Sequence, residues 1–158
     1  GAAGMGRNLS GLADRIKALS LKIGASRLYF AGFSSGSYAA LHASLELEAI
    51  GYLGFSAVTD LSAQSACPPP KFFTDEVRRR IAPADLRNLR DMVQNAGPQY
   101  FGTIHYGERS EIDSTQALNM RDLRNFQVIR IADCGHDVPL HLISQNRFYD
   151  AFSDLIAR

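Results

Sequence analysis

Cysteine is scarce, excess charge of either sign is absent, and no long apolar run occurs in this chain of 158 residues. Each lack excludes something. The two cysteines, Cys67 and Cys134, allow one disulfide. They do not demand an oxidising compartment, and two thiols alone build no metal cluster. The formal net charge is +1, so the chain has no bulk attraction for nucleic acid or an acidic membrane. No apolar stretch approaches the ~18 residues that span a bilayer. No basic-then-apolar leader stands at the start, and the expected location is the cytoplasm. Internal repeats and low-complexity segments are missing too. No strand leads into G-x-G-x-x-G, which argues against dinucleotide binding.

What is present fits a packed domain. Hydrophobic residues make up 46% and charged residues 21%, enough for a core and too apolar for disorder. The length fits one domain over residues 1–158. Gly1 to Gly4 read either as a tag remnant before Met5 or as native, and are set aside. From Asn8 onward, helical spacing (Leu9, Leu12, Ala13, Ile16, Leu19, Ile23) closes at Gly24. A buried strand is expected at Arg27–Phe33, a helix at Ser35–Ala49, and strands at Ile50–Ala57, Gln99–Gly107 and Phe126–Asp133. Further helices are expected at Thr74–Ile81, Pro83–Gly97, Ser114–Leu123 and Asn146–Arg158. "CPPP" forbids helix and sheet alike around Cys67. Helices alternating with continuous apolar strands mean an α/β fold: a mainly parallel sheet of about four strands, with helices on both faces.

One corner carries chemistry. "RLYFAGFSSGSYAALHAS" passes from strand to helix through Gly32, Ser34 and Gly36. A serine on such a corner sits in a strained backbone conformation that lifts its hydroxyl clear of the sheet, while flanking glycines allow close passage. The helix that follows directs its positive end at the site, and the N–H of Ser35 is placed to donate to an oxyanion. The plainer alternative is an ordinary Gly/Ser turn. A serine hydroxyl needs a base at neutral pH. Of four histidines, His42 lies about two turns into the helix, His105 inside a strand and His141 on an apolar helical stretch. His136 alone follows a strand directly, in "ADCGHDVP". That is the sheet edge at which Ser34 also lies and where parallel α/β sheets present their sites.

With "GFSSGSYAAL" and "CGHD" in place, the chain resembles the C-terminal portion of the α/β-hydrolase family. The resemblance runs from the helix before the elbow to the final helix. It implies that Ser34 attacks an acyl carbonyl and that His136 is general base, then general acid. The family's acid usually lies just past the third of these strands. Here "IHYGERSEIDSTQ" departs from the usual pattern, with Ser110 where Asp is expected. Asp113 is the favoured acid, with a helix cap as its structural alternative. Glu111 is second, and Asp60, at the end of the second strand, is a minority choice. Asp133 and Asp137 stand too close to His136 in sequence to orient it.

The resemblance also implies strands before the elbow that this chain does not supply. The strand of Ser34 is then a bare edge, which proteins usually protect. The sheet's missing portion is expected from a longer protein, from another chain or through a homo-oligomer, or activity is reduced. Residues 61–97 stand where many members carry a cap or lid. "CPPPKFF" is a candidate wall for an acyl chain, and the alternative is a plain excursion. Arg78–Arg80 read as a site for an anion or as a solvated helix face. The first functional reading is a serine hydrolase, or a closely related acyltransferase, acting on a small-molecule ester or thioester without metal or organic cofactor. The alternative is a non-catalytic module that binds a partner or assembles through its edge.

Overall fold

The computed structural model describes residues 8–157. The Gly1–Gly4 stretch, Met5 and Arg158 lie outside the described residues. In chain order the elements are α1 (Leu9–Lys22), β1 (Tyr29–Phe33), α2 (Ser35–Glu46), β2 (Gly51–Phe55) and α3 (Asp75–Arg80). Then come a 3-10 turn (Pro83–Asp85), α4 (Leu89–Gln94), β3 (Phe101–Gly107), α5 (Glu111–Leu118), β4 (Phe126–Ile131), α6 (Val138–Ser144) and α7 (Phe148–Ile156). Asn8 starts α1 by accepting the N–H of Gly11. Gly24 ends that segment with a φ of 68°, which glycine adopts without a Cβ penalty.

The strands form one parallel sheet in the order β1-β2-β3-β4. Each strand pairs with its successor, and parallel crossovers are right-handed, so the connecting helices fall on one face. There Tyr38 and Leu41 of α2, Leu89 and Val93 of α4 and Ala117 of α5 pack with Tyr52 and Ile104. The last two helices return over the other face, where Val138, Leu142 and Leu155 meet Leu53, Phe55 and Ile131. Tyr52 and Leu53 show the strand alternation, entering opposite cores from one buried strand. Burying each large apolar side chain contributes about 1.5–3 kcal/mol. The turn from β4 into α6 carries the "CGHD" loop across the top of the sheet.

Several expectations change. The strand at Arg27–Phe33 is shorter and only partly buried, because among the described residues β1 is hydrogen-bonded through β2 alone. Ala31 and Phe33 are exposed. The helix expected over Pro83–Gly97 breaks into the 3-10 turn and α4. Tertiary bonds hold the break: Tyr38 Oη donates to the carbonyls of Asp85 and Arg87, and the Leu89 N–H donates to the Thr59 carbonyl. Asn88 then restarts the helix by accepting the Arg90 N–H. The helix expected from Ser114 begins at Glu111, because Ser110 caps it. Cys67 and Cys134 are buried and free, so the disulfide that their number allowed does not form. Arg80 pairs with Glu76, and Arg78 lies 5.0 Å from the Phe73 ring centre, which fits a solvated helix face. No helix among the described residues is long and apolar enough to cross a membrane.

Candidate active site

Ser34 occupies the corner between β1 and α2 with φ 53° and ψ −129°. This region is unfavourable for a residue with a Cβ and persists only when neighbours over-determine it. They do so here. The Ser34 N–H continues the sheet ladder to the Phe55 carbonyl at 3.0 Å. Its own carbonyl accepts the Ser37 N–H at 3.1 Å and, by a short contact, the Ser37 hydroxyl. Ser37 Oγ in turn accepts the Val58 N–H at 3.0 Å, tying the elbow to the end of β2. The two motif glycines differ in role. A Cβ on Gly32 would stand 2.5 Å from the Ser37 Cα, so α2 can leave β1 this steeply only past a glycine. A Cβ on Gly36 would meet nothing within 4 Å, so close passage does not require glycine there. The Ser35 N–H stands at the first position of α2, where no intrahelical acceptor exists.

His136 reaches Ser34 from the other side of the sheet. Its Nε2 lies 3.0 Å from Ser34 Oγ. Its Nδ1 lies 2.9 and 3.1 Å from the two carboxylate oxygens of Asp113. The loop that carries it crosses the end of β3 at very short range. A Cβ on Gly107 would fall 1.8 Å from the Gly135 carbonyl oxygen, and the Arg109 N–H donates to the Cys134 carbonyl at 2.9 Å. Ser56, just past β2 with φ 45°, donates its hydroxyl to the His136 carbonyl at 2.6 Å. Phe33 lies against the imidazole, ring centres 5.1 Å apart.

Asp113 is free to face His136 because of how α5 begins. "SEID" has the form of a capping box, in which the acid would return to the N–H of the cap residue. Here the Ser110 N–H is taken by the Gly107 carbonyl at 3.2 Å, while Ser110 Oγ caps by accepting the Asp113 N–H at 3.3 Å. The Asp113 carboxylate, 7% exposed, turns to the imidazole. A buried carboxylate needs such a partner. The other carboxylates are elsewhere. Glu111 points to solvent. Asp60 is buried and accepts the Ser62 N–H. Glu108 pairs with Arg130, and Asp133 with Arg109. Neither Glu111 nor Asp60, the two alternative acids, therefore contacts His136.

His42, His105 and the two thiols are set apart by burial. Burial pulls His105 down to about 4, with Arg147 adding to the shift, and its Nδ1 has no hydrogen-bond partner. Burial also lowers His42, against the raising effect of Glu46. His42 Nδ1 lies 3.3 Å from Glu46 Oε2 without hydrogen-bond geometry. His141 is paired with Gln145 on α6. Burial pushes both thiols up, away from thiolate reactivity. Among the described residues, no three His, Cys, Asp or Glu side chains converge as a metal site.

A cleft of about 320 Å³ opens over Ser34, His136 and Asp113. Ala57, Val58 and Ile112 give it apolar walls, and Pro70, Lys71 and Phe72 of the 61–97 segment close one side. Gln116 braces that side: its amide donates to the carbonyls of Asp60 and Pro68, and its Oε1 accepts the Thr59 and Asp60 N–H groups. Ser37, Ser56, Gly107 and Gln116 were not singled out as site residues from sequence. Only Ser110, three residues before an acid, carried a readable signal, the capping pattern.

No family model and no curated protein sequence matches the chain. Solved structures do. An alpha/beta superfamily hydrolase from Oenococcus oeni matches 96% of this chain and 76% of its own, with TM-score 0.61 and 16% identity. A thermophilic esterase from Thermogutta terrifontis matches 89% and 69%, with TM-score 0.62 and 14% identity. MenH from S. aureus matches 89% and 72%, with TM-score 0.66 and 13% identity. At these identities the likeness concerns the fold. The chain has a truncated α/β-hydrolase fold built on four parallel strands.

Proposed function

We propose that the chain is a serine hydrolase that cleaves a carboxylic ester or thioester through an acyl-enzyme. The observation that supports this most is the continuous line of hydrogen bonds from Asp113 through His136 to Ser34. In this reading Asp113 accepts from Nδ1–H and so leaves Nε2 free as a base. His136 takes the Ser34 proton as Oγ bonds to the substrate carbonyl carbon. The carbonyl oxygen becomes an oxyanion facing the Ser35 N–H and the positive end of α2, whose first turn holds no acid. His136 returns the proton to the departing alcohol or thiol, which leaves acyl-Ser34. Water then attacks the acyl carbon as His136 takes its proton, the acyl–Ser34 bond breaks as His136 returns that proton to Oγ, and the acid departs. An acyltransferase would use the same residues with a second hydroxyl in place of water. The 61–97 segment acts as a small cap through Pro70 and Phe72.

Turnover of p-nitrophenyl acetate and butyrate by the purified chain, beside Ser34→Ala and His136→Ala, tests the reading. Hydrolysis lost by about a thousandfold in both variants is the expected result. Equal rates in all three proteins overturn it.

One observation favours a second reading, assembly through the sheet edge. Among the described residues β1 is paired on one side alone, and it exposes Phe33 at 40%. In that reading a non-catalytic module pairs β1 with a strand of another chain. Light scattering at rising concentration separates the two: a monomer that turns over ester supports the hydrolase acting alone.

A further inference from the structure

One lysine, exposed to solvent, lines the cleft over Ser34. Lys71 stands between Pro70 and Phe72 on its wall. Among the described residues it takes part in no salt bridge. The one carboxylate that lines the cleft, Asp113, is already engaged by His136. Ala57, Val58, Phe72 and Ile112 give the cleft apolar surface, and the neutral polar side chains of Ser110 and Gln116 are engaged with backbone groups. An ammonium on a rim that offers it no free carboxylate discriminates among ligands by charge.

We propose that the acyl part of the substrate carries a second, ionised carboxylate that pairs with Lys71 while the reacting carbonyl sits at Ser34. This rests on the serine-hydrolase reading above and deepens it. Two features narrow the class. At about 320 Å³ the cleft lies at the small end of ligand pockets, which favours a short acyl chain. A single ammonium with no arginine fork beside it suits one carboxylate better than a dianionic phosphate. The orientation follows from exposure. The His136 side chain, 47% exposed, leaves the open side to the departing alcohol or thiol. The acyl part then lies toward the wall of Pro70, Lys71 and Phe72. The natural substrate is thus a half-ester or half-thioester of a short dicarboxylic acid.

The test compares kcat/KM for mono-p-nitrophenyl glutarate and p-nitrophenyl valerate, equal in chain length and different in charge. Wild type, Lys71→Ala and Lys71→Glu are measured at low and high salt. The glutarate-to-valerate ratio is expected to fall about fivefold in Lys71→Ala, further in Lys71→Glu, and with added salt in wild type alone. A ratio that Lys71→Glu leaves unchanged overturns the proposal. Labelling of Ser34 by a fluorophosphonate separates this failure from failure of the hydrolase reading, since the probe reports the serine whatever Lys71 does. Without ester turnover, binding decides. Backbone amide signals of Lys71, Phe72 and Ile112 should shift saturably with glutarate, not with glutaramide, and not in Lys71→Glu. Equal shifts with both compounds, or none, overturn the proposal.

Discussion

Ser56 donates its hydroxyl to the backbone carbonyl of His136 at 2.6 Å, and its own N–H donates to the His105 carbonyl at 2.8 Å. A serine at the end of β2 thereby fixes, across β3, the loop that brings His136 over Ser34. Ser56 is 1% exposed, so nothing else competes for its hydroxyl. We expect Ser56→Ala to fold and to lose about tenfold in kcat with little change in KM, because it loosens the base rather than the substrate. Steady-state kinetics beside a melting curve checks this. A loss confined to stability contradicts it.

The carboxylates near His136 give a sharp contrast. Asp113→Asn removes the acceptor that orients Nδ1–H, and turnover should fall by roughly a hundredfold or more. Glu111→Gln and Asp60→Asn touch no atom of His136 and should stay within about threefold of wild type. Parallel kinetics of the three variants checks the assignment. A larger loss in Glu111→Gln than in Asp113→Asn would reverse it.

The two motif glycines should part company in stability. An added Cβ at position 32 meets the α2 backbone at 2.5 Å, and backbone cannot swing aside as a side chain can. Gly32→Ala should cost at least about 2–3 kcal/mol. Gly36→Ala meets open space and should hold or slightly raise the melting temperature, given alanine's better helix propensity. Urea unfolding of both variants measures the difference.

Acid should destabilise the chain through His105. Its folded value is lowered to about 4 from 6.5, so it is neutral in the fold, and the unfolded chain takes up the proton first. The stability it contributes is whole above about pH 6.5 and is lost as pH falls toward 4. The slope is at most about 1.4 kcal/mol per pH unit for this group. His42, also lowered, adds in the same direction. His105→Gln should flatten the pH dependence of urea unfolding between pH 6.5 and 4.5. An unchanged slope contradicts the assignment.

The fold was legible because its strands are continuous apolar runs, and the one continuing into Gly-Phe-Ser-Ser-Gly also fixes where α2 begins. The parallel sheet follows from that alternation. The break at Leu86–Asn88 was not legible, since it depends on Tyr38 Oη reaching about fifty residues along the chain. For Asp113, Glu111 and Asp60, residue type could not choose among them. The choice lies in where α5 starts, and that depends on Ser110 and the Gly107 carbonyl. Ser56 left no trace in sequence, because a lone serine after a strand is ordinary. Its role exists only where the His136 loop crosses the sheet.

The central claim is that His136 activates Ser34. The most direct test is intact-protein mass spectrometry after brief exposure to a fluorophosphonate, followed by peptide mapping. The account predicts a single adduct on Ser34, absent in Ser34→Ala and formed at least about a hundredfold more slowly in His136→Ala. An adduct that forms equally fast without His136, or that persists without Ser34, would contradict it.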